Sequence, residues 1–138
     1  MLEGGCFCGA VRYRLESVFD CIYCHCSECR KASGGPVAVS VVGRRAAFAI
    51  TSGEPRRFRR RHGYHHFCGD CGSPLFYLAD EGNYVSIALG SFDAPAEIVP
   101  LAHQFWPERL PWLALGDDLP KFPGNTLSHP DSRRRPLA

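Results

Sequence analysis

Cys24-His25-Cys26-Ser27-Glu28-Cys29-Arg30-Lys31 places three thiols within six residues, at C-x-C-x2-C spacing. Two further pairs lie on either side, Cys6-x-Cys8 near the start and Cys68-x2-Cys71 at mid-chain. These seven cysteines read as two metal sites that organise the fold and locate the function. The eighth, Cys21, stands three residues before Cys24 and opens an alternative.

A C-x2-C loop brings two sulfurs onto one ion because the chain folds back over the metal, and zinc takes such thiolates in a tetrahedron. Gly69 and Gly72 each follow a cysteine and suit a tight knuckle. Cys68 and Cys71 therefore form half a site. The pair Cys6 and Cys8, also flanked by glycine, is the best other half. Together they predict a closed structural site; buried free thiol is the alternative. Cys24, Cys26 and Cys29 have no obvious fourth ligand, and an open position is what a catalytic zinc site keeps for water or substrate. By spacing alone, Cys21-x2-Cys24-x-Cys26-x2-Cys29 also fits a closed four-cysteine site or an iron–sulfur site. Strand parity separates them: in a regular strand Asp20, Ile22 and Cys24 share one face, while Cys21 points away as a small core residue.

The chain of 138 residues predicts one domain, and a 45% hydrophobic composition supplies a core. The N-terminus has an early acid, Glu3, and no apolar segment of the secretory type. No run approaches the roughly 18 apolar residues that a membrane span needs. These features predict a cytoplasmic protein with reduced thiols, in which cysteines serve metal rather than disulfides. A secreted disulfide protein is the competing reading.

Short alternating runs predict the strands. Val11 to Glu16, Phe19 to Cys24, Val37 to Val42, Ala46 to Thr51, Tyr64 to Phe67, Leu75 to Leu78 and Tyr84 to Leu89 are the main candidates, with Ala102 to Trp106 as a late one. Arg57 to Arg59 alternates weakly, and Gly4 to Gly9 reads as an opening turn. Ser27 is the expected N-cap of one short helix, which Gly34-Gly35-Pro36 ends. From Gly90 onward, prolines break the chain into short pieces. The expected architecture is mainly β and antiparallel with little helix. Residues 1–123 form the predicted zinc-binding domain and residues 124–138 a loose tail.

At its three cysteine motifs the sequence resembles the glutathione-dependent formaldehyde-activating enzyme family, which also contains centromere protein V. The stretches that carry the resemblance are Gly5 to Tyr13, Cys24 to Lys31 and Phe67 to Leu75. Weaker matches follow at Gly90 to Asp93, His103, Pro111-Trp112 and Leu119-Pro120. The resemblance spans roughly Gly5 to Phe122. It implies an antiparallel zinc-binding β-tent. It also implies a structural zinc at Cys6, Cys8, Cys68 and Cys71, and a second zinc, where a substrate thiol binds, at Cys24, Cys26 and Cys29. The implied reaction joins formaldehyde to glutathione as S-hydroxymethylglutathione, the work of a carbon–sulfur lyase. Cys21 lies outside the family pattern, and the chain is shorter than the founding enzyme.

No catalytic acid or base stands out in the sequence. His25 sits between two cysteines, His103 lies on a late strand, and Tyr64, His65 and His66 precede the second knuckle; each histidine reads more simply as a surface or hydrogen-bonded core residue. Asp93 reads as a turn-former. Phe105 and Trp112 suit a core or a pocket wall. The arginines at positions 56, 57, 59, 60 and 61 suit a charge-protected edge strand, with an anionic substrate or nucleic acid as the alternative. Only Phe58 interrupts them, a poor platform for stacking bases. The expected partners are a small thiol such as glutathione and an aldehyde. Two other functions compete: a zinc-stapled binding module without catalysis, and a metal or thiol sensor built on Cys21 to Cys29.

Overall fold

The structure, a computed structural model, describes residues 1–126. Residues 127–138 fall outside this range, and with them most of the expected tail and its Arg133 to Arg135 cluster. The described strands are β1 (Leu2–Gly5), β2 (Arg12–Leu15), β3 (Asp20–Cys24), β4 (Ala38–Arg44), β5 (Phe48–Ser52), β6 (Arg56–Arg60), β7 (Gly63–Phe67), β8 (Pro74–Ala79), β9 (Tyr84–Ala88) and β10 (Ala102–Gln104). A single α-helix, α1 (Ser27–Ser33), follows β3 among the described residues.

Two sheets form. The smaller has the order β1-β2-β5, and the larger the order β10-β3-β4-β9-β8-β7-β6. Alternation decides which side chains turn inward: Tyr13 and Leu15 on β2, and Val85 and Ile87 on β9, are buried while their neighbours on each strand are more exposed. With Val41, Leu75, Phe76 and Phe92 they make one core between the sheets. Tyr13 meets Phe92 edge-on with ring centroids 5.4 Å apart, and its hydroxyl is hydrogen-bonded to Ser91 Oγ at 2.6 Å. Where β2 crosses β4, a β-carbon at Gly43 would stand 2.4 Å from Leu15 Cδ1, so the close approach requires glycine.

The mainly β fold matches expectation, with four differences in detail. β10 runs parallel to β3, pairing Ala102 with Ile22 and Gln104 with Cys24, so the large sheet is not wholly antiparallel. The long irregular connection between β9 and β10 permits this, because parallel neighbours need a crossover rather than a tight turn. The expected opening turn begins later than Gly4: Cys6 to Gly9 turn, but Gly4 and Gly5 belong to the strand Leu2–Gly5, held in register with Leu15 to Arg12. Arg56–Arg60, weakly patterned in sequence, is a regular edge strand whose ladder partner β7 supplies what alternation does not. Finally, Cys26 rather than Ser27 caps the helix: its sulfur accepts the Cys29 backbone N–H at 3.3 Å. The helix ends as expected at Gly34, where φ is 75° and the N–H returns to the Arg30 carbonyl at 2.8 Å.

The Arg56–Arg60 strand is exposed throughout and forms one edge of the large sheet. Arg59 pairs with Asp80, and the Arg57 guanidinium lies 4.1 Å from the Tyr64 ring centroid. Such charge on a free edge discourages pairing with another chain. No helix among the described residues is long and apolar enough to cross a membrane.

Candidate metal centres and their surroundings

The first centre joins the two sheets. Cys6 and Cys8 sit in the turn between β1 and β2, and Cys68 and Cys71 in the knuckle between β7 and β8. Their four sulfurs lie within 4.8 Å of one another, a set that can hold a metal ion. The knuckle is closed by Gly72 N–H to the Cys68 carbonyl at 2.8 Å, with Gly72 at φ 77°. At Gly69 the exposed Arg56 side chain lies over the knuckle, so that a β-carbon there would stand 2.6 Å from Arg56 Cδ and displace it. The two loops are also tied directly, Phe7 N–H donating to Ser73 Oγ at 2.9 Å. The same hydroxyl lies 3.1 Å from Cys71 Sγ and helps lower that thiol to about 6, which favours the thiolate that a metal needs.

The second centre lies where β3 enters α1. Cys24 ends the strand and is buried, while Cys26 and Cys29 are half-buried in the first turn of the helix. Their three sulfurs also lie within 4.8 Å of one another, with Cys24 and Cys26 Sγ 3.4 Å apart. Sulfur–hydrogen interactions with Cys24 and Cys29, aided by the Cys29 N–H, pull the Cys26 thiol far down, and the same sharing pushes Cys24 and Cys29 up.

Cys21 does not join this group. It is 1% exposed, lies opposite Val41 and belongs to the core between the sheets, where burial pushes its thiol up to about 11. Strand parity expected Cys21 to point away from Cys24, and the structure has it in the core. Among the described residues the converging set at the second centre is three sulfurs, and no histidine completes it.

Residues 1–108 match the family model for glutathione-dependent formaldehyde-activating enzyme. The chain belongs to the glutathione-dependent formaldehyde-activating enzyme family. A Halomonas elongata protein, provisionally named as such an enzyme, is 35% identical over 86 residues, and the match covers 55% of each chain. The chain thus aligns with about half the length of that curated relative. A crystal structure of a Rhodobacter sphaeroides protein shares the fold, with a TM-score of 0.55 and 22% identity over 71% of this chain and 97% of that one.

Around the second centre of this family member, two groups of side chains close in that the cysteine pattern does not reveal. The first is buried. His25, far from pointing outward, is 1% exposed, and its Nε2 is hydrogen-bonded to His103 Nδ1 at 2.8 Å. His103 Nε2 in turn lies 3.0 Å from Asp117 Oδ1. Tyr23 stacks on His103 at 4.8 Å, and Trp106 meets both imidazoles edge-on. Burial, with His103 and nearby arginines adding to it, holds His25 down at about 4, so the ring is neutral near pH 7. Burial alone would raise Asp117, but the hydrogen bonds from His103 and the Leu119 N–H, with the nearby positive charge of Lys121, together outweigh it and the carboxyl is held below its usual range. Arg30 donates to both the His25 and Glu108 carbonyls, and the Ser27 N–H donates to Glu108 Oε1 at 3.2 Å.

The second group faces the half-buried cysteines. Glu28 Oε1 lies 3.5 Å from Arg60 Nε and 3.9 Å from His65 Nε2. His65 is packed between Phe58 at 5.3 Å and Tyr77 at 4.8 Å. Burial lowers the pKa of His65 and raises that of Tyr77, keeping both neutral near pH 7. β-Strand parity explains the division of labour: His65 turns to the helix side, while His66 stacks on Phe76 on the opposite face. Glu28, Tyr77 and Asp117 carry no sequence signal of this role, since pairing and long-range packing bring them in. Asp93 is an ion-pair partner of Arg12, tying β2 to the segment after β9. Phe105 is half-buried at φ 52°, and Trp112, 71% exposed, is not part of the core.

Proposed function

We propose that this protein forms and cleaves the carbon–sulfur bond of small thiol–aldehyde adducts, of the S-hydroxymethylglutathione type, at the Cys24, Cys26 and Cys29 centre. The observation that carries the reading is the difference between the two sulfur sets: four sulfurs closing a joint between sheets, and three at a half-buried helix start. Cys6, Cys8, Cys68 and Cys71 would hold a structural zinc, and Cys24, Cys26 and Cys29 a second. The donor chemistry fits, because converging thiols with one already favoured as thiolate suit zinc. When bound there, the zinc supplies Lewis acidity that makes an incoming thiol a thiolate near neutral pH.

The chain's own side chains do the rest. The cysteines hold the ion rather than attack the substrate. Phe58, His65 and Tyr77 line the approach, and neutral His65 offers a ring nitrogen to a substrate hydroxyl or carbonyl oxygen. Arg60 beside Glu28 puts positive charge near the carboxylates of a glutathione-like thiol. In the forward direction a sulfur–carbon bond forms at the aldehyde carbon, the carbonyl π bond opens, and the proton lost by the thiol ends on the new hydroxyl oxygen. The reverse direction releases aldehyde and thiol.

The test is adduct formation from formaldehyde and glutathione measured against the spontaneous rate, with metal content measured on the same sample. Two zincs per chain and an acceleration that Cys26→Ser removes are expected. Two zincs without acceleration by glutathione or other small thiols would overturn the enzymatic reading in favour of a binding module.

A further inference from the structure

We infer that Asp117 is a positioning residue for the second metal centre, acting through His103 and His25 on the loop that carries Cys24 and Cys26. The inference deepens the function proposed above and rests on its second centre. The argument starts at the carboxylate. Ionised Asp117 can only accept, so His103 must place its proton on Nε2, which is 3.0 Å from Oδ1. His25 Nδ1 is buried with no hydrogen-bond partner, so the proton of the His25 ring belongs on Nε2 and His103 Nδ1, 2.8 Å away, is the acceptor that meets it. One carboxylate thereby sets the tautomer of two imidazoles in series.

The chain is anchored at each link. The Leu119 N–H donates to Asp117 Oδ1 at 3.0 Å and fixes the carboxylate in its turn. The backbone of His103 is held between Pro120 and Phe122 by hydrogen bonds of 2.8 Å each. The backbone of His25 donates to Gln104 at 3.1 Å, so strand and side chain locate the same residue. Because His25 lies between two of the three converging cysteines, an orientation imposed on its ring is imposed on their backbone as well.

The remaining nitrogen shows how strictly the order is set. His25 Nδ1 is buried with no hydrogen-bond partner. In the order that Asp117 dictates it bears a lone pair. Reversing the order would place an N–H donor there with no acceptor to meet it, and an orphaned buried donor is rare in proteins. The loop would have to move to satisfy it, drawing Cys24 and Cys26 away from Cys29.

Asp117→Leu provides the reversal: with no acceptor opposite Nε2, His103 places its proton on Nδ1 and donates it to His25. An amide would not serve, because one oxygen at Oδ1 accepts from both His103 Nε2 and the Leu119 N–H and could keep the parent order. Imidazole nitrogen NMR on the intact chain reads the tautomers, and zinc competition against a chelator reads the two centres separately. We expect the His25 proton to leave Nε2, the second-centre zinc affinity to fall about ten-fold, and the first-centre affinity to stay as in the parent. Asp118→Leu, one exposed residue away, should match the parent in every reading. Parent tautomers with parent zinc affinity in Asp117→Leu would overturn the inference. So would an equal weakening of both centres, which would mark a general loss of stability. If the parent itself binds a single zinc, the second-centre reading fails on its own. Amide exchange at His25 and Cys29 then decides the positioning role: faster exchange in Asp117→Leu than in Asp118→Leu supports it, and equal exchange overturns it.

Discussion

The sulfur of Cys26 accepts the backbone N–H of Cys29 at 3.3 Å, so one atom both caps helix α1 and belongs to the converging thiol set. The two roles separate by substitution. Cys26→Ser keeps an acceptor suited to an N-cap, whereas Cys26→Ala removes it. Both variants are expected to lose the second-centre metal. Only Cys26→Ala should also lose helix-cap stability, about 1 kcal/mol in a denaturant titration of the metal-free protein. Equal stability of the two metal-free variants would show that the cap contributes nothing.

Cys21 supplies the complementary case. It is packed in the core beside β4 and stands apart from the three sulfurs of the second centre. Cys21→Ala should retain the full metal content of the parent and lose on the order of 1 kcal/mol of stability, the usual cost of shortening a packed side chain. Loss of one metal per chain would place Cys21 among the ligands after all.

The two centres should respond differently to removal. The first joins the β1–β2 turn to the β7–β8 knuckle, and metal held there is folding free energy. Cys68→Ser is therefore expected to lower the melting temperature sharply and to make the protein sensitive to dilute chelator. Cys29→Ser should abolish accelerated adduct formation with a much smaller change in melting. Comparable melting losses in both would argue that the second centre is structural as well.

A pH effect follows from Asp93 and Arg12. The Arg12 hydrogen bonds hold the Asp93 carboxyl below its usual range. A depressed carboxyl stabilises the fold fully above its unfolded pKa of about 3.9, and this contribution is lost as pH falls through the lower folded value. The Asp93 side chain is 52% exposed, so solvent limits the effect to at most about 1 kcal/mol. Asp93→Asn should therefore be slightly less stable than the parent at pH 7, and the difference should close progressively as pH falls below the unfolded carboxyl value of about 3.9. A difference that persists unchanged at low pH would mean the loss comes from packing rather than charge.

The residues show where sequence reading reaches and where it stops. The Cys68-x2-Cys71 knuckle, the alternation of Val85 and Ile87, and the helix stop at Gly34 are visible because metal-loop spacing, strand period and backbone freedom act over a few neighbouring positions. Parity even placed Cys21 correctly, since β3 is regular up to Cys24. Cys26 as N-cap was hidden because serine, beside it, is the commoner capping residue. The parallel β10 was hidden because crossover length does not reveal where a strand docks.

What the sequence by itself determined is the chemistry: seven cysteines at metal-binding intervals, a mainly β chain, and the family to which those motifs belong. What only the tertiary structure decided is their company. Asp117 reaches His103 across 14 positions, His103 reaches His25 across 78, and Glu28 meets Arg60 and His65 from another strand pair. Such meetings depend on sheet order, register and loop path together. Those are properties of the whole packed chain, and no local stretch of residues encodes them.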